Sequence, residues 1–323
     1  MQYNNEAHNK GEAMSTMQHG TAVIEVSHIE KSYGDFRAVQ DLTFEVRAGE
    51  VFAMLGPNGA GKSTTIRMIL DILRPDRGAI AVFGGPIDAA RKDRIGYLPE
   101  DRGLYRSAKV IDMMVYLGVL KGMDKEAARQ RSMQLLEELG LAANAKQKVS
   151  ELSKGMQQKV QFMVTILHDP ELIIIDEPFS GLDPVNTMTI KDLLMGFRNR
   201  GGAVVMSTHQ MYHVEEMADR LLMINRGQQA LYGPVDEVRN RYAIHAVQVE
   251  GEGDWATLAG VERVEPPGEG EVGDLLHLKP GVTSAALLSE IAARPDLTIR
   301  RFELAVPSLN EIFIQVVEDG AHA

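Results

Sequence analysis

The apolar positions of residues 22–241 follow strand and helix periods in turn. Two runs that alternate apolar and polar residues, "AVIEVSHI" and "LTFEVRA", flank the turn-like "YGDF" and predict antiparallel strands joined by a hairpin. The short continuous apolar runs "VFAMLG", "ELIIID" and "GGAVVMST" are typical of strands buried on both faces. Apolar residues three and four apart in "VIDMMVYLGVLKGM" and "EAARQRSMQLLEELGL" predict helices. This order of elements indicates an α/β core with a mostly parallel sheet and an inserted helical segment.

A second pattern begins after about residue 241. Strand-like runs at "HAVQVEG", "VERVE", "LLHLKPG" and "LTIRRFELA" accompany helix-like runs at "TSAALLSEIAA" and "SLNEIFIQVVE". The loop "EPPGEGEVGD" in this region is rich in Pro, Gly and Glu. We therefore expect a polar disordered tail over residues 1–20 and an α/β domain over residues 21–241, with its helical part at about 104–165. A small α+β domain is expected over residues 242–323.

Composition narrows the possible classes of function. The chain has 323 residues, no cysteine and a formal net charge of -11. The lack of cysteine excludes disulfides, thiolate metal sites and a cysteine nucleophile, and the acidic balance argues against nucleic acid as a partner. No apolar run reaches the ~18 to 20 residues of a membrane helix, and residues 1–20 lack the apolar core of a signal peptide. A polyphosphate ligand would need a local site, because the overall charge repels it.

The segment "GPNGAGKST" carries the clearest chemical signal. It fits the phosphate-binding pattern G-x-x-x-x-G-K-[ST], and it lies between a predicted buried strand and a predicted helix. Its glycines let the backbone wrap around phosphates, Lys62 can reach the outer phosphates, and the Ser63 hydroxyl can bind Mg²⁺. The predicted nucleotide-binding residues of this segment are Gly56, Pro57, Asn58, Gly59, Ala60, Gly61, Lys62, Ser63 and Thr64.

Acidic, imidazole and aromatic side chains elsewhere complete a candidate site. The run "LIIIDEP" contains Asp176, which can hold Mg²⁺, and Glu177, which can activate a water as general base. His209 follows the predicted strand "AVVM", where parallel sheets place ligand sites, and we interpret it as a contact to the γ-phosphate. Tyr33 can stack on an adenine, and packing on the surface of its own sheet is its alternative role.

These motifs, in this order, resemble those of the ATP-binding subunits of ABC transporters. The resemblance covers about residues 22–235: Tyr33 matches the aromatic A-loop residue, "GPNGAGKST" Walker A, "GYLPED" the Q-loop, "LSKGMQQKV" the signature "LSGGQQQRV", "LIIIDEP" Walker B, "SGLDP" the D-loop and "STHQM" the switch histidine. It implies a P-loop NTPase core of ABC type, with an antiparallel β subdomain and an inserted helical subdomain. Here a small C-terminal α+β domain follows that core.

The resemblance also implies ligands and partners. Such subunits hydrolyse ATP with Mg²⁺ and pair head to tail, so that each ATP lies between the P-loop of one subunit and the signature of another. Ser153, Lys154, Gly155 and the D-loop Asp183 are therefore expected to bind nucleotide. The second subunit would be a copy of this chain or a close paralogue. A separate membrane-embedded permease would be the other partner, which places this chain in the cytoplasm at the inner face of the cell membrane. No nucleic acid is expected.

Three positions depart from the family's pattern. Glu100 stands where the Q-loop has Gln, and we expect it to contact Mg²⁺ or the attacking water, or else to lie in a surface turn. Lys154 replaces a signature Gly, and Met156 replaces a signature Gln, which removes the hydrogen bonds of an amide. Ser153, which can cap a helix, and Gly155 are kept. A cation at position 154 would offset the acidic chain by facing the γ-phosphate bound to the opposite subunit.

Three further motifs bear on the subtype of the family. The motifs "YLPEDRGLY", "LSKGMQQKVQF" and "PSLNEIFIQVV" are similar to those of exporter-type subunits in the group of the sodium-efflux ATPase NatA. The alternative function is a soluble ABC-type ATPase that acts on ribosomes or DNA, although the chain has one cassette and no sustained heptads. The apolar stripe of Ile312, Phe313 and Val316 makes the C-terminal region a candidate for regulation or dimerisation, and packing on its own sheet is the simpler role.

Overall fold

The computed structural model describes residues 19–100, 103–267 and 272–319. Within these ranges the chain forms two compact units, which divide between Val235 and Asp236. The expected disordered tail, residues 1–20, lies outside the described ranges apart from residues 19 and 20. Among the described residues, no helix has both the length and the apolar character that a membrane span requires.

The described residues form strands and helices in alternation. The strands are β1 (Ala22–Tyr33), β2 (Phe36–Arg47), β3 (Val51–Leu55), β4 (Arg77–Val82), β5 (Ile95–Leu98), β6 (Leu172–Asp176), β7 (Ala203–Thr208), β8 (Arg220–Asn225), β9 (Gln228–Pro234), β10 (Ala246–Glu252), β11 (Val261–Glu265), β12 (Asp274–Leu278) and β13 (Thr298–Leu304). The helices are α1 (Lys62–Ile69), α2 (Ala89–Lys92), α3 (Val110–Leu120), α4 (Lys125–Glu138), α5 (Lys154–Ile166), α6 (Pro184–Asn199), α7 (Met211–Met217), α8 (Val235–Arg241), α9 (Ser284–Ala292) and α10 (Leu309–Asp319).

Two sheets share one apolar core in the first unit. The smaller sheet is antiparallel, in the order β2-β1-β4. The larger sheet has the order β5-β6-β7-β3-β8-β9, and all its strands are parallel except β9. Strands β3, β6 and β7 are buried at every position, which is why each appears in the sequence as a continuous apolar run. The predicted α/β core with an antiparallel β subdomain is confirmed.

The inserted helical subdomain has a core of its own, built from α3, α4 and α5. Methionine is prominent in that core: Met113, Met114 and Met163 are fully buried there, and Met123, Met133 and Met156 pack against it. The signature segment "LSKGMQQKV" starts α5, and Ser153 is the N-cap, with its Oγ accepting a hydrogen bond from Met156 N at 3.2 Å. The signature is therefore also an ordinary capped helix start, as its sequence predicts.

The second unit is the small α+β domain that the sequence predicts. Its sheet is antiparallel, in the order β11-β12-β10-β13, and α9 contributes Leu287 and Ile291 to the core of the unit. Arg239 of α8 donates a hydrogen bond to Pro307 O at 3.1 Å, which ties α8 to this unit. The division before residue 236 therefore precedes the change in sequence pattern near residue 241. Ile312 of the apolar stripe is buried, and its neighbours in the stripe are partly buried, which favours packing as their role.

Candidate active site

The carboxyl ends of β3, β6 and β7 meet at one edge of the parallel sheet. In the sheet, β7 lies between β6 and β3. Strand β3 leads through residues 56–61 into α1, β6 ends at Asp176, and β7 ends at Thr208. The register pairs Asp176 with Ser207 and Leu55 with Thr208. The groups that follow the three strands therefore lie side by side, where open α/β sheets bind their ligands.

Two glycines in the loop after β3 have no room for a side chain. Gly56 has a φ of +147°, and a Cβ there would lie 2.2 Å from Ile224 O. Gly61 has a φ of +113°, and its Cβ would lie 2.5 Å from Ala38 O. Gly61 is also the N-cap of α1 and offers no side-chain acceptor to the first turn of that helix. The N–H groups of that turn can therefore donate to an anion.

Lys62 is a buried cation inside this loop. Only 7% of the residue is exposed, and its Nζ donates to Gly56 O at 2.7 Å and to Pro57 O at 3.2 Å. Burial lowers the pKa of the Lys62 ammonium below its usual value, and three nearby carboxylates oppose that shift. Two carbonyl oxygens carry no formal charge, so the ammonium still lacks a full counter-charge in contact with it. A phosphate oxygen in the loop would supply one.

Asp176 is held by hydroxyl groups from two neighbouring elements. Ser63 Oγ donates to Asp176 Oδ2 at 3.1 Å, and Ser207 Oγ donates to Asp176 Oδ1. Ser63 and Asp176 thus bring together a hydroxyl and a carboxylate oxygen, which are hard ligands of the kind that Mg²⁺ prefers. Within the described ranges, no cluster of three or more His, Cys, Asp or Glu side chains could hold a metal by itself.

Glu177 is a buried carboxylate in an uncommon backbone conformation. Its φ is +51°, which costs a non-glycine residue about 1–3 kcal/mol. Its N–H donates to Ser207 O at 3.0 Å, and its carboxylate lies 2.7 Å from His209 Nδ1 and 3.4 Å from Thr208 Oγ1. The side chain of Glu177 is 8% exposed, whereas that of His209 is 51% exposed. The pair therefore joins a buried carboxylate to an accessible imidazole.

These groups line one cavity of about 490 Å³. The lining residues are Tyr33, Phe36, Ala38, Asn58, Gly59, Ala60, Gly61, Lys62, Ser63, Thr64, Glu100, Asp176, Glu177, Ser180 and His209. The structure therefore brings the A-loop, Walker A, Q-loop, Walker B and switch positions to one place. Gly56 and Pro57 do not line the cavity, and their carbonyl oxygens hold Lys62 instead.

Phe36 is a second aromatic residue at the cavity, and sequence reasoning missed it. Tyr33 and Phe36 are partners in the register of the β1–β2 hairpin, and they are 47% and 61% exposed. Two exposed rings on the rim of a phosphate-binding cavity offer apolar faces on which a nucleotide base can stack. The hairpin prediction contained the signal for Phe36, because a short turn after Tyr33 brings the next strand back beside it. Ala38 and Ser180 were also missed.

Hydroxyl residues at the end of β7 were missed as well. Ser207 contacts Asp176, and Thr208 contacts Glu177, so consecutive hydroxyls hold consecutive carboxylates. The signal in the sequence was the pair of hydroxyl residues in "MSTHQ", at the end of a predicted buried strand.

The signature and D-loop residues lie outside this cavity. Lys154 is exposed at the start of α5. A Cβ on Gly155 would lie 2.5 Å from Asn186 Nδ2, so within the chain the missing side chain makes room for Asn186. Asp183 is the N-cap of α6 and accepts from Asn186 N at 2.9 Å and from Asn186 Nδ2 at 2.6 Å. The structure does not bring Ser153, Lys154, Gly155 or Asp183 to the nucleotide cavity of the same chain.

Comparisons with known proteins agree with this geometry. The ABC transporter family model matches residues 39–180, and the model of the C-terminal domain of ATP-binding proteins like DrrA1-3 matches residues 233–317. Over 295 residues the chain is 38% identical to the uncharacterized ABC transporter ATP-binding protein YhaQ of Bacillus subtilis, with 91% of this chain and 98% of that protein covered. The chain belongs to the ABC transporter ATP-binding proteins. Members of this family hydrolyse ATP, and the chain is accordingly an ATPase of ABC type with a DrrA-like C-terminal domain.

Two further similarities concern named systems. The linearmycin resistance ATP-binding protein LnrL of Bacillus subtilis is 30% identical over 307 residues, which cover 91% of this chain and 98% of that protein. The solved structure of cbiO1 from Clostridium perfringens, part of the ABC transporter complex cbiONQ, is 28% identical with a TM-score of 0.61, and it covers 68% of this chain and 92% of that chain. The ABC-type fold of the ATP-binding domain is thus shared with a solved transporter subunit.

The buried Lys62 predicts a large effect on nucleotide binding. Lys62→Ala removes a charge-assisted donor to phosphate, so the ATP dissociation constant measured by calorimetry should rise about 10- to 100-fold. Lys121→Ala is the matched control, because Lys121 also has a burial-lowered pKa and also donates to two carbonyl oxygens, Lys92 O and Ile95 O. The control should lose thermal stability and keep its ATP affinity. Equal ATP affinity in both variants would contradict the role of Lys62.

Proposed function

We propose that this chain is the Mg²⁺-dependent ATP-hydrolysing subunit of an ABC exporter whose permease is a separate membrane protein. One observation carries the hydrolytic part of the proposal. A single cavity holds a buried lysine, a serine–aspartate pair and a buried glutamate beside a histidine. Binding alone would require the lysine and the loop, whereas the glutamate and histidine are groups that transfer protons.

The phosphates would be bound by hydrogen-bond donors at the start of α1. The first-turn N–H groups of α1 and the Lys62 ammonium face the cavity from the loop after β3. Ser63 and Asp176 fit a divalent cation between protein and phosphate, and the cation would neutralise charge on the outer phosphates. Glu100 lines the same cavity. This supports our proposal that Glu100 contacts the cation or the attacking water, over the alternative that it only lies in a surface turn.

Glu177 is proposed to accept the proton of the attacking water. Its carboxylate is fixed on one oxygen by His209 and on the other by Thr208, so its direction is defined before substrate binds. The other ring nitrogen of His209, Nε2, remains for a contact to the γ-phosphate. Because His209 contacts Glu177 directly, it can orient the base and bind the phosphate from the same position.

A second cassette is proposed to complete the site. Ser153, Lys154 and Asp183 do not reach the cavity of their own chain, and Lys154 is exposed at a helix N-terminus, where an anion is favoured. We therefore assign them to the ATP bound by the second subunit, which is a copy of this chain or a paralogue. Gly155 then has two roles, since it accommodates Asn186 within the chain and leaves the helix start open.

Export and position at the inner face of the membrane rest on similarity. The chain is similar over nearly its whole length to a protein named for linearmycin resistance, and its fold to a part of the transporter complex cbiONQ. The match of residues 233–317 to the DrrA-like model supports an accessory C-terminal domain, and the grouping with NatA rests on the motifs alone. These similarities support a transporter over a ribosome-directed or DNA-directed ATPase, and the formal net charge of -11 points the same way.

Glu177→Gln tests the hydrolytic assignment. We expect kcat for ATP to fall by about 10²–10⁴-fold, the usual contribution of a general base, while the ATP dissociation constant stays unchanged. Glu171→Gln is the matched control, because Glu171 precedes the opposite end of β6 and pairs with Arg94 instead. Steady-state phosphate release measures kcat. If Glu177→Gln turns over ATP as fast as Glu171→Gln, Glu177 is not the base.

Lys154→Gly tests the contact with a second subunit. In the Glu177→Gln background with ATP, loss of a charge-assisted contact should raise the dimer dissociation constant about tenfold, measured by sedimentation equilibrium. Lys125→Gly is the control, since Lys125 is likewise the first residue of a helix and follows an acceptor cap, Asp124. The two variants lose the same helix propensity. Equal dimer dissociation constants would therefore show that Lys154 makes no contact with the second subunit.

Cell fractionation tests the membrane partner. We expect the tagged chain to sediment with membranes and to be released by an alkaline carbonate wash, because the proposed attachment is to a permease and not to lipid. Purified chain mixed with protein-free phospholipid vesicles is the control and should stay in the supernatant. Sedimentation with ribosomes from the same lysate would replace the transporter proposal by the ribosomal one.

A further inference from the structure

Two glutamines of α5 donate hydrogen bonds to backbone carbonyls next to the cavity. Gln158 Nε2 donates to Pro178 O at 3.3 Å, and Gln161 Nε2 donates to Pro99 O at 3.2 Å. Both glutamines are buried, with 7% and 5% of each residue exposed. They are three residues apart and so lie on the same side of the helix. Each of the two prolines is the direct neighbour of a carboxylate that lines the cavity.

Pro178 follows Glu177, whose backbone is strained. A positive φ at a non-glycine residue persists only where the surrounding structure holds it. On one side of Glu177, its own N–H is fixed by Ser207 O at 3.0 Å. On the other side, the carbonyl of Pro178 is fixed by Gln158. The carbonyl of Glu177 itself accepts from Ser180 N at 3.3 Å. Gln158 therefore supplies one of several hydrogen bonds that hold the backbone around the strained residue.

Pro99 precedes Glu100 in the Q-loop position. A proline has no N–H, so the carbonyl is its only backbone group that can form a hydrogen bond. Gln161 Nε2 donates to that carbonyl. The other amide atom, Gln161 Oε1, is buried with no hydrogen-bond partner in the part of the chain that the structure describes. An apolar side chain of the same length would remove that unpaired oxygen but would leave the Pro99 carbonyl without this donor. The amide of Gln161 is therefore committed to Pro99 alone.

We propose that Gln158 and Gln161 are positioning residues that hold the backbone beside Glu177 and Glu100, so that the helix carrying the signature also sets the positions of both carboxylates. The proposal rests on the proposed function, in which Glu177 is the base. Neither glutamine lines the nucleotide cavity, so both act through the proline carbonyls. The amides thereby join α5, whose N-cap is Ser153, to the hydrolytic groups of the same chain.

Gln158→Met tests the link to Glu177. Methionine keeps the length of the side chain and removes the donor, so kcat for ATP should fall about threefold to tenfold, the effect of one lost hydrogen bond. KM for ATP should stay unchanged, because the Walker A loop is untouched. Gln248→Met is the control, since Gln248 Nε2 likewise donates to a backbone carbonyl, Val272 O at 3.1 Å, within the C-terminal unit, and neither residue lines the cavity. Equal kcat values for the two variants would overturn the proposal for Gln158.

Gln161→Met separates positioning from packing. Gln161→Met removes the unpaired Oε1 and also the donor to Pro99 O, so its effect on the melting temperature is a balance of the two and does not decide the question. If Gln161 only fills the core, kcat should stay unchanged, whereas the proposal predicts a threefold or greater loss of kcat. An unchanged kcat would overturn the role of Gln161, and this variant stays informative even if Gln158→Met folds poorly.

The double variant Gln158→Met with Glu177→Gln tells the two possible failures apart. If Gln158 acts through Glu177, adding Gln158→Met to Glu177→Gln should produce no further loss of kcat. A further loss of the full threefold to tenfold would show independent effects and overturn the proposal. Should Glu177→Gln alone leave turnover unchanged, the proposed function itself loses its base, and the positioning role falls with it.

Discussion

A lysine kept out of water is the constraint on which the active site depends. The Lys62 ammonium lies within a loop whose carbonyl oxygens solvate it in part, and the loop takes this shape because Gly56 and Gly61 leave room for neighbouring backbone oxygens. The same geometry leaves the first turn of α1 open. A phosphate bound in the loop would therefore complete the solvation of the Lys62 ammonium.

The register of the parallel sheet decides which groups meet that anion. Asp176 and Ser207 are partners across β6 and β7, and their side chains are hydrogen-bonded. A slip of one residue between the two strands would turn every side chain to the other face of the sheet. The continuous burial of β6 and β7 fixes the layer in which both strands lie. Packing of the core and alignment of the carboxylates are therefore set by the same residues.

How far the site could be predicted depended on the distance between its parts along the chain. The loop around Lys62, the strand end at Asp176 and the residue after β7, His209, belong to local patterns, and the structure places all of them at one cavity. Phe36 depends on how a hairpin reverses, and the α5 glutamines depend on contacts 20 and 62 residues apart, which no local pattern contains. The signature motif predicts that Gly155 contacts a phosphate. Within the chain, however, the atoms nearest to a Cβ at Gly155 belong to Asn186 of α6.

The methionine-rich core of the helical subdomain makes that part of the molecule chemically different from the sheet. Methionine is unbranched and flexible, so such a core can repack at low cost when the subdomain shifts. Its thioethers can also be oxidised to polar sulfoxides. The cavity is lined by no methionine among the described residues, whereas Met156 lies in the signature itself and is only partly buried. Within the helical subdomain, oxidation would therefore reach the partly buried Met156 of the signature before the fully buried Met113, Met114 and Met163.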